Sequence, residues 1–221
     1  MSEPTGVAGA IEAVVFDFGG VYTDSPFDAV RTRGLDLGID PEQALLFVFG
    51  SYDRDTDHPW HRAERGELAL DEARLQIQEQ ARAQGIEIEV YDMLASLAGG
   101  AVRHEMVERT RRLRLDGYRT GMITNNVSEF RDFWRPMLPL DELFDVVIDS
   151  CEVGMRKPDP RIFSLMCDQL GVAPGRAAFL DDYPGNVAAA EAAGLRGILV
   201  TADYHHAVAE LDALLADGGE R

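Results

Sequence analysis

Cysteine is nearly absent from this sequence: Cys151 and Cys167 are the only two among 221 residues. They do not form a CxxC pair, which argues against a thiol-based metal site or a redox motif. We therefore expect both to be reduced, small and partly buried side chains. Long apolar runs are also missing, because the longest, ALLFVF at 44–49, is far too short to cross a bilayer.

Basic residues are scarce too, since 21 Lys and Arg stand against 39 Asp and Glu, for a formal net charge of −18. A surface of this sign repels nucleic acid and anionic lipid, so we expect neither a nucleic acid nor a membrane as a partner. Any binding site for an anion must then be a local basic pocket. The first ten residues, MSEPTGVAGA, lack the basic start and apolar stretch of a secretory signal, which predicts a cytoplasmic protein.

Hydrophobic residues make up 46% of the chain, which is enough for a packed core. Five short β-prone runs are almost continuously apolar, as is typical of strands buried on both faces. Helical patterns separate the last four runs, and this alternation predicts an α/β fold with a Rossmann-like parallel sheet. The runs are AVVFDF (13–18), YRTGMI (118–123), DVVID (145–149), AAFL (177–180) and GILV (197–200).

The segment between the first two strands is much longer than one crossover helix. Residues 25–98 have a helical and polar pattern, with an amphipathic helix that we expect to begin at Asp71. We predict an inserted α-helical cap domain over 25–98, and a core formed by 1–24 and 99–221, with Gly99-Gly100 as the hinge. Because ligands of open α/β sheets bind beyond the carboxyl ends of the strands, such an insert would cover the site as a lid.

Chemically useful side chains follow four of the five predicted strands. Each has an ordinary structural interpretation when taken alone, as a cap, a turn or a solvated charge. Together they predict a site with carboxylates, a hydroxyl, amides and a cation at one edge of the sheet. They are Asp17 after strand one, Thr124-Asn125-Asn126 after strand two, Arg156 and Lys157 after strand three, and Asp181-Asp182 after strand four.

These segments resemble the four motifs of the haloacid dehalogenase-like (HAD) hydrolase superfamily. FDFGGV is similar to the first motif, MITNN to the second, the lysine of GMRKPDP to the third and FLDDYPGN to the fourth. The similarity covers the whole chain, including a helical cap between motifs one and two. Within the superfamily, AERGEL and FLDD resemble the sugar-phosphate phosphatases of bacteria and the N-terminal phosphatase domain of soluble epoxide hydrolases.

The resemblance implies a phosphatase that hydrolyses a small phosphomonoester, such as a sugar or nucleotide monophosphate. Asp17 would be the nucleophile and would form an aspartyl phosphate. Mg²⁺ would be the cofactor, held by Asp17, Asp182 and the backbone carbonyl of Gly19, because it takes carboxylate and other oxygen ligands. Asp181 would support the water shell of the metal or orient Lys157. The protein would act as a monomer or a homodimer.

The same resemblance assigns the phosphate to Thr124, Asn125 and Lys157. The Thr124 hydroxyl would donate to the phosphate, helped by the Asn125 amide at a helix N-terminus. Lys157 would neutralise both Asp17 and the phosphate. In the cap loop SYDRDTDHPWHRAE, we expect Arg62 and His58 to contact substrate, since this loop can provide the positive charge that the rest of the surface lacks.

Gly19 departs from the usual pattern of the superfamily. Most HAD phosphatases have a second Asp at this position, two places after the nucleophile, and it transfers protons to and from the leaving oxygen. Glycine cannot do this, and a positioned acid or base is worth about 10²–10⁴-fold in rate. The replacement could be Asp24, His58 or His61 of the cap, or water.

Two other functions stay open at this stage. A 2-haloacid dehalogenase uses the same aspartate to displace halide without a metal, although the adjacent Asp181 and Asp182 would repel its carboxylate substrate. A catalytically silent HAD-fold binding protein is the second alternative. The presence of Asp17, Thr124, Lys157 and Asp182 together argues against it.

Overall fold

The computed structural model describes residues 10–95 and 101–217. At its centre is a five-stranded sheet in the order β3-β2-β1-β4-β5, with parallel pairing between all neighbours. The predicted α/β fold is therefore confirmed, and each strand starts and ends within two residues of its predicted run. The strands are β1 (Ala13–Phe16), β2 (Arg119–Thr124), β3 (Val146–Asp149), β4 (Ala177–Asp181) and β5 (Arg196–Leu199).

The apolar character of β1 follows from its place in the middle of the sheet. Val14 and Phe16 belong to one hydrophobic cluster, whereas Ala13 and Val15 belong to another on the opposite face. All four residues are fully buried. Because successive side chains of a strand point to opposite faces, a strand covered on both sides must be apolar at every position.

Five helices follow β1 in the sequence, and we call them the helical insert. They are α1 (Pro26–Asp36), α2 (Pro41–Val48), α3 (Pro59–Glu64), α4 (Leu70–Ala83) and α5 (Val90–Leu94). The insert has a hydrophobic cluster of its own, which includes Val48, Ile77 and Met93. The predicted boundaries of the cap at 25–98 stay a prediction, and the proposed Gly99-Gly100 hinge lies outside the described residues.

The predicted start of α4 at Asp71 is wrong. The helix begins at Leu70, and its N-cap residue, Ala69, has no side chain able to accept a hydrogen bond. Glu129 takes over this role from a distant part of the chain, because its Oε1 accepts from the Leu70 amide at 2.8 Å. A cap supplied by another element leaves no local signal in the sequence.

The remaining helices pack around the sheet. Helix α10 has ordinary start and stop residues, because the Asp159 carboxylate accepts from the Arg161 amide and Gly171 ends the helix with a φ of 70°. In chain order these helices are α6 (His104–Leu115), α7 (Arg131–Trp134), α8 (Leu140–Leu143), α9 (Ser150–Val153), α10 (Pro160–Leu170), α11 (Pro184–Ala192) and α12 (His205–Asp217).

Two expectations from composition can be compared with the structure. Both Cys151 and Cys167 are free thiols, as expected. Among the residues that the structure describes, no helix combines the length and the apolar character needed to cross a membrane.

Candidate active site

The ends of β1 and β4 and the loop after α9 meet at one edge of the sheet. The Lys157 ammonium lies there between two carboxylates, with Nζ 2.8 Å from Asp17 Oδ1 and 2.6 Å from Asp181 Oδ2. Lys157 is 1% exposed and Asp181 is completely buried. Asp17 thus joins two side chains from the distant C-terminal half of the chain in one charged cluster, because parallel strands bring their carboxyl ends together.

Burial sets the protonation of this cluster. It raises the pKa of Asp17 from 3.8 to about 7, although the Lys157 ammonium opposes the shift. Burial also acts to lower the pKa of Lys157, but Asp17 and Asp181 outweigh it and hold that pKa above its usual value. Lys157 therefore stays charged at neutral pH and is a permanent cation beside Asp17.

A third carboxylate completes the cluster. One oxygen each of Asp17, Asp181 and Asp182 lie within 4.8 Å of one another. Burial raises the pKa of Asp182 well above its usual value, and the nearby Asp181 and Asp17 raise it further. When all three are deprotonated, three carboxylates facing one ammonium carry an excess of negative charge in a buried place, and burial together with this excess is why the pKa values of Asp17 and Asp182 are raised. This donor set suits a hard divalent cation with oxygen ligands.

The two aspartates at the end of β4 have different partners. Asp181 Oδ2 accepts from Lys157, Asp181 Oδ1 accepts from the Tyr183 amide at 2.8 Å, and Asn186 Nδ2 donates to both oxygens at 3.1 Å. Asp182 has one side-chain donor, Ser25 Oγ, at 2.5 Å from its Oδ2. Asp181 is therefore committed to orienting Lys157, which was one of its two expected roles, and Asp182 keeps free lone pairs.

Gly20 allows Asp182 to come this close to β1. Its φ is 71°, and a Cβ at this position would lie 2.1 Å from Asp182 Cγ. Gly19 is under a milder constraint, since a Cβ there would lie 3.2 Å from Cδ of Pro26. An aspartate at position 19 would thus require the proline ring that starts α1 to shift by a few tenths of an ångström.

The residues after β2 lie beside Lys157. The Asn125 side chain holds the backbone of Lys157 from both sides, because its Nδ2 donates to the Lys157 carbonyl at 2.9 Å and its Oδ1 accepts from the Lys157 amide at 2.8 Å. The expected helix N-terminus at Asn125 is not there, since the chain runs through Val127 before a short 3₁₀ turn begins at Ser128. Thr124 is the last residue of β2 and is 2% exposed.

A cavity of about 1100 Å³ opens above this edge of the sheet. It extends between the strand ends and the helical insert, since both contribute to its lining. Six of the eight residues predicted for the site line it: Asp17, Gly19, Thr124, Asn125, Lys157 and Asp182.

The structure does not bring His58 and Arg62 to this cavity. His58 precedes α3, where its Nδ1 accepts from the Trp60 amide at 3.2 Å. Arg62 Nε lies 3.8 Å from Glu67 on the same part of the insert. His61 is also absent from the lining and is fully buried, with its Nδ1 accepting from the Thr56 amide at 3.1 Å. Burial lowers the pKa of His58 to about 4 and that of His61 to about 3, so both rings are neutral at physiological pH.

A buried ion pair joins the insert to the loop that carries Lys157. Arg156 Nε lies 2.6 Å from Glu64 Oε2, and both side chains are almost completely buried. The second oxygen of Glu64 accepts from Trp60 Nε1 at 2.8 Å and from the Tyr52 hydroxyl. The Arg156 guanidinium also stacks on Tyr52, 4.5 Å from the ring centroid. Because Arg156 directly precedes Lys157, the Arg156–Glu64 ion pair links the helical insert to the charged cluster.

Sequence reasoning missed several residues of the site. Ser25 and Asn186 hold Asp182 and Asp181, and Glu64 pairs with Arg156. Ser25 and Asn186 stand close to motif residues, so the FLDDYPGN run gave a weak hint of Asn186. Glu64 is separated from Arg156 by 92 positions, and only the packing of the insert on the core reveals their contact.

The family of the protein can now be stated. A family model for haloacid dehalogenase-like hydrolases matches residues 11–194. The chain therefore belongs to this family of hydrolases, in agreement with the four motifs in its sequence.

Curated relatives extend this picture. The chain is 33% identical over 211 residues to mouse acyl-CoA dehydrogenase family member 10, with 92% of this chain and 19% of the relative covered. It is 35% identical over 121 residues to rat bifunctional epoxide hydrolase 2, with 53% of this chain and 22% of the relative covered. It thus spans about a fifth of the length of these two relatives. It is also 29% identical over 132 residues to validoxylamine A 7′-phosphate phosphatase of Streptomyces hygroscopicus subsp. limoneus, with 59% and 62% covered.

Solved structures share the fold. A HAD-like hydrolase from Porphyromonas gingivalis has a TM-score of 0.64 at 26% identity, with 92% of this chain and 98% of that chain covered. A HAD-family enzyme from Bacteroides thetaiotaomicron, solved with magnesium and inorganic phosphate, has a TM-score of 0.59 at 20% identity, with 89% and 98% covered. A dehalogenase solved as an intermediate complex has a TM-score of 0.65 at 21% identity, with 94% and 98% covered. The last two likenesses show the fold alone.

The close approach at Gly20 predicts a specific sensitivity to substitution. Gly38 has a φ of 72°, and a Cβ added there would have no atom within 4 Å. We expect Gly38→Ala to lower the free energy of unfolding by about 1–2 kcal/mol through backbone strain alone. Gly20→Ala should lose clearly more, since the Asp182 side chain must also move. Urea denaturation of both variants measures this, and equal losses would show that Asp182 is not held against β1.

The Arg156–Glu64 pair predicts a second difference. Glu64→Ala leaves a buried guanidinium without its partner, and we expect a loss of about 3–5 kcal/mol in the free energy of unfolding. Glu67→Ala is the matched control, because it removes a carboxylate that is 46% exposed and pairs with Arg65 at the surface. Its expected loss is about 0–1 kcal/mol. Denaturant titration of the two variants measures both losses. Similar denaturation midpoints for Glu64→Ala and Glu67→Ala would contradict the assigned role of the buried pair.

Proposed function

We propose that this hydrolase is a Mg²⁺-dependent phosphatase that cleaves small phosphomonoesters through an aspartyl phosphate on Asp17. The observation that carries the proposal is the contact of Lys157 with both Asp17 and Asp181. Because Lys157 occupies Asp181, the neighbouring Asp182 lies beside Asp17 with oxygen lone pairs that can bind a cation. The curated phosphatase relative supports the same reaction class.

The donor set of the site supports magnesium. Asp17, Asp182 and the backbone carbonyl of Gly19 would hold the ion, and Ser25 would keep Asp182 in place through its hydrogen bond. When bound, Mg²⁺ neutralises the charge of the attacking carboxylate and of the phosphate oxygens. Without such neutralisation, a carboxylate and a phosphate dianion repel each other.

The residues of the chain account for the two chemical steps. An oxygen of Asp17 attacks phosphorus, and the bond from phosphorus to the leaving oxygen breaks with its electron pair going to that oxygen. Water then attacks the phosphorus of the aspartyl phosphate, which releases inorganic phosphate and restores the Asp17 carboxylate. Lys157 offsets negative charge during both steps, and Thr124 donates its hydroxyl to a phosphate oxygen. Phosphoryl transfer depends mainly on such positioning and charge stabilisation.

Proton transfer to the leaving oxygen is the step for which the site has the fewest candidate residues. Gly19 has no side chain, and His58 and His61 do not line the cavity. Asp24 lines it, with a carboxylate that is 84% exposed and lies 3.8 Å from Arg103. Asp24 and solvent are therefore the proton donors that we propose for the leaving oxygen.

The dehalogenase alternative is less well supported by the site. A haloacid substrate carries a carboxylate, and Asp181 and Asp182 would repel it at the place where the nucleophile must reach carbon. The dehalogenase neighbour shares the fold at 21% identity, which does not specify the reaction. The binding-protein alternative does not explain why Lys157 is buried between two carboxylates at the cost of its own desolvation.

Replacement of the nucleophile tests the reaction directly. Asp17→Asn should reduce Mg²⁺-dependent phosphate release from p-nitrophenyl phosphate by at least about 10³-fold, because the amide is a poor nucleophile. The exposed Asp141→Asn is the matched control and should retain wild-type rates. Equal rates in Asp17→Asn and the wild type would refute the assignment. Chloride release from 2-chloropropionate that persists in EDTA would instead identify a dehalogenase, and ligand-induced stabilisation without any turnover would identify a binding protein.

The raised pKa of Asp17 predicts how magnesium stabilises the fold. A carboxyl with a folded pKa of about 7 and an ordinary value of 3.8 keeps a proton that the unfolded chain has lost, so the fold loses stability as pH rises through this window. Mg²⁺ binds the deprotonated form and should offset the loss. We expect a larger Mg²⁺-induced rise in Tm at pH about 8 than at pH about 5.5.

Thermal unfolding at matched ionic strength measures this effect. Asp182→Asn should lose most of the Mg²⁺-induced shift, whereas Asp141→Asn should keep it. A shift of the same size at both pH values, or in both variants, would mean that the ion acts on the acidic surface and not at Asp17 and Asp182.

A further inference from the structure

We propose that the leaving group of the natural substrate is an aromatic ring, so that the enzyme cleaves aryl phosphate monoesters in preference to sugar phosphates. This inference rests on the proposed function and adds a substrate class to it. It comes from one side of the cavity, which we call the aromatic wall: Phe27, Phe49, Tyr52, Trp60 and Tyr183, all of which line the cavity.

The rings of the aromatic wall contact one another and form a continuous surface. The ring centroid of Phe27 lies 5.0 Å from those of both Tyr52 and Tyr183, and the centroids of Phe49 and Trp60 are 5.1 Å apart. The Phe27–Tyr52 pair is edge-to-face and the other two pairs are tilted, and edge-to-face contact is a geometry in which aromatic rings attract each other. A planar apolar group placed against this surface would gain the same kind of contact.

The aromatic wall begins beside the reacting groups. Tyr183 directly follows Asp182, and Phe27 lies two residues after Ser25, which donates to Asp182. Four of the five rings come from the part of the chain that forms the helical insert, and they line the cavity together with the strand ends. A phosphate bound at Asp17 would therefore direct its ester group toward the aromatic wall.

The polar atoms of the aromatic wall are already in use. The Tyr52 hydroxyl and Trp60 Nε1 both donate to Glu64, and the Tyr183 hydroxyl donates to Asp53 Oδ1 at 2.8 Å. Glu64 in turn is held by Arg156. The hydroxyls of a sugar would lose hydrogen bonds to water here and find few partners, which costs binding energy. An aromatic ring has no hydroxyls and therefore loses no hydrogen bonds to water when it binds at this surface.

Two of the three arginines in the cavity lining, Arg31 and Arg103, are also engaged. Arg31 pairs with Glu42 at 2.8 Å and with Asp28 at 3.1 Å. Arg103 donates to the Gly20 carbonyl at 2.6 Å. These side chains are therefore poorly placed to recognise a second phosphate or a polyol.

The glycine at position 19 favours the same class of substrate. A leaving oxygen that is a weak base departs without being protonated by the enzyme, whereas an alkoxide needs an acid. The pKa of a phenol is about 10, as in the tyrosine side chain, and is far below that of an aliphatic alcohol. In the proposed step the bond between phosphorus and the aryl oxygen breaks, the electron pair leaves as a phenolate, and water supplies the proton afterwards. The lack of an acidic side chain at position 19 thus slows the cleavage of an aryl phosphate less than that of a sugar phosphate, even where Asp24 or solvent donates the proton.

Steady-state kinetics with four substrates test the proposal: 2-naphthyl phosphate, glucose 6-phosphate, adenosine 5′-monophosphate and acetyl phosphate, each with Mg²⁺. Acetyl phosphate needs no acid and is too small to cover the aromatic wall, so it reports the phosphatase reaction alone. We expect kcat/KM for 2-naphthyl phosphate to exceed that for glucose 6-phosphate and for the nucleotide by at least about 100-fold. If none of the four substrates is hydrolysed, the proposed function itself fails.

Variants of the aromatic wall separate ring recognition from leaving-group reactivity. Tyr183→Leu and Phe27→Leu should each lower the ratio of kcat/KM for 2-naphthyl phosphate to that for acetyl phosphate by about tenfold, mainly through KM. Tyr183→Phe keeps the ring and should keep most of the ratio. Tyr91→Leu removes an aromatic ring of α5 that is 42% exposed and does not line the cavity, and it should leave the ratio unchanged.

Two results would overturn the proposal while the phosphatase reaction stands. One is hydrolysis of acetyl phosphate together with a kcat/KM for glucose 6-phosphate or the nucleotide that equals or exceeds that for 2-naphthyl phosphate. The other is an unchanged naphthyl-to-acetyl ratio in both Tyr183→Leu and Phe27→Leu. That outcome would show that any aryl preference comes from leaving-group reactivity and not from the aromatic wall.

Discussion

The site depends on one buried ammonium held between two carboxylates. Lys157 contacts Asp17 and Asp181 at hydrogen-bond distance, and none of the three can be well solvated. A charge in such a place is stable only with its partners, so the three side chains fix one another. The roles of the other groups follow from this arrangement: Asp181 is occupied by Lys157, Asp182 bonds to Ser25 and keeps other lone pairs available, and Asp17 lies beside a permanent cation.

The surrounding structure protects this cluster in two ways. Gly20 removes the side chain that would otherwise push Asp182 away from β1. Arg156 connects the loop of Lys157 to Glu64 in the helical insert, and Glu64 also accepts hydrogen bonds from the Tyr52 hydroxyl and Trp60 Nε1. The insert is thus coupled to the charged cluster through one ion pair and at the same time presents an apolar surface to the cavity. A protein with a net charge of −18 can bind an anion in this way, because the positive charge is local and buried.

The fold alone does not decide the reaction, because neighbours of similar TM-score include both a dehalogenase and an enzyme solved with magnesium and phosphate. What differs between such proteins is the chemistry of a few side chains at the strand ends. Here the paired aspartates after β4 favour a metal-assisted reaction, and Gly19 weakens proton transfer. These two features are the basis on which we propose phosphate esters whose leaving group departs easily as substrates.

The sequence by itself determined the five strands, the parallel sheet and the cluster of Asp17, Lys157, Asp181 and Asp182, because apolar runs and strand ends are local signals that the topology of a parallel sheet then combines. It could not place side chains whose partners are distant. The cap of α4 comes from Glu129, the partner of Arg156 is Glu64, and His58 and Arg62 do not line the cavity. The tertiary structure alone decided these contacts, since the packing of the insert on the core depends on many weak interactions that no short stretch of sequence contains.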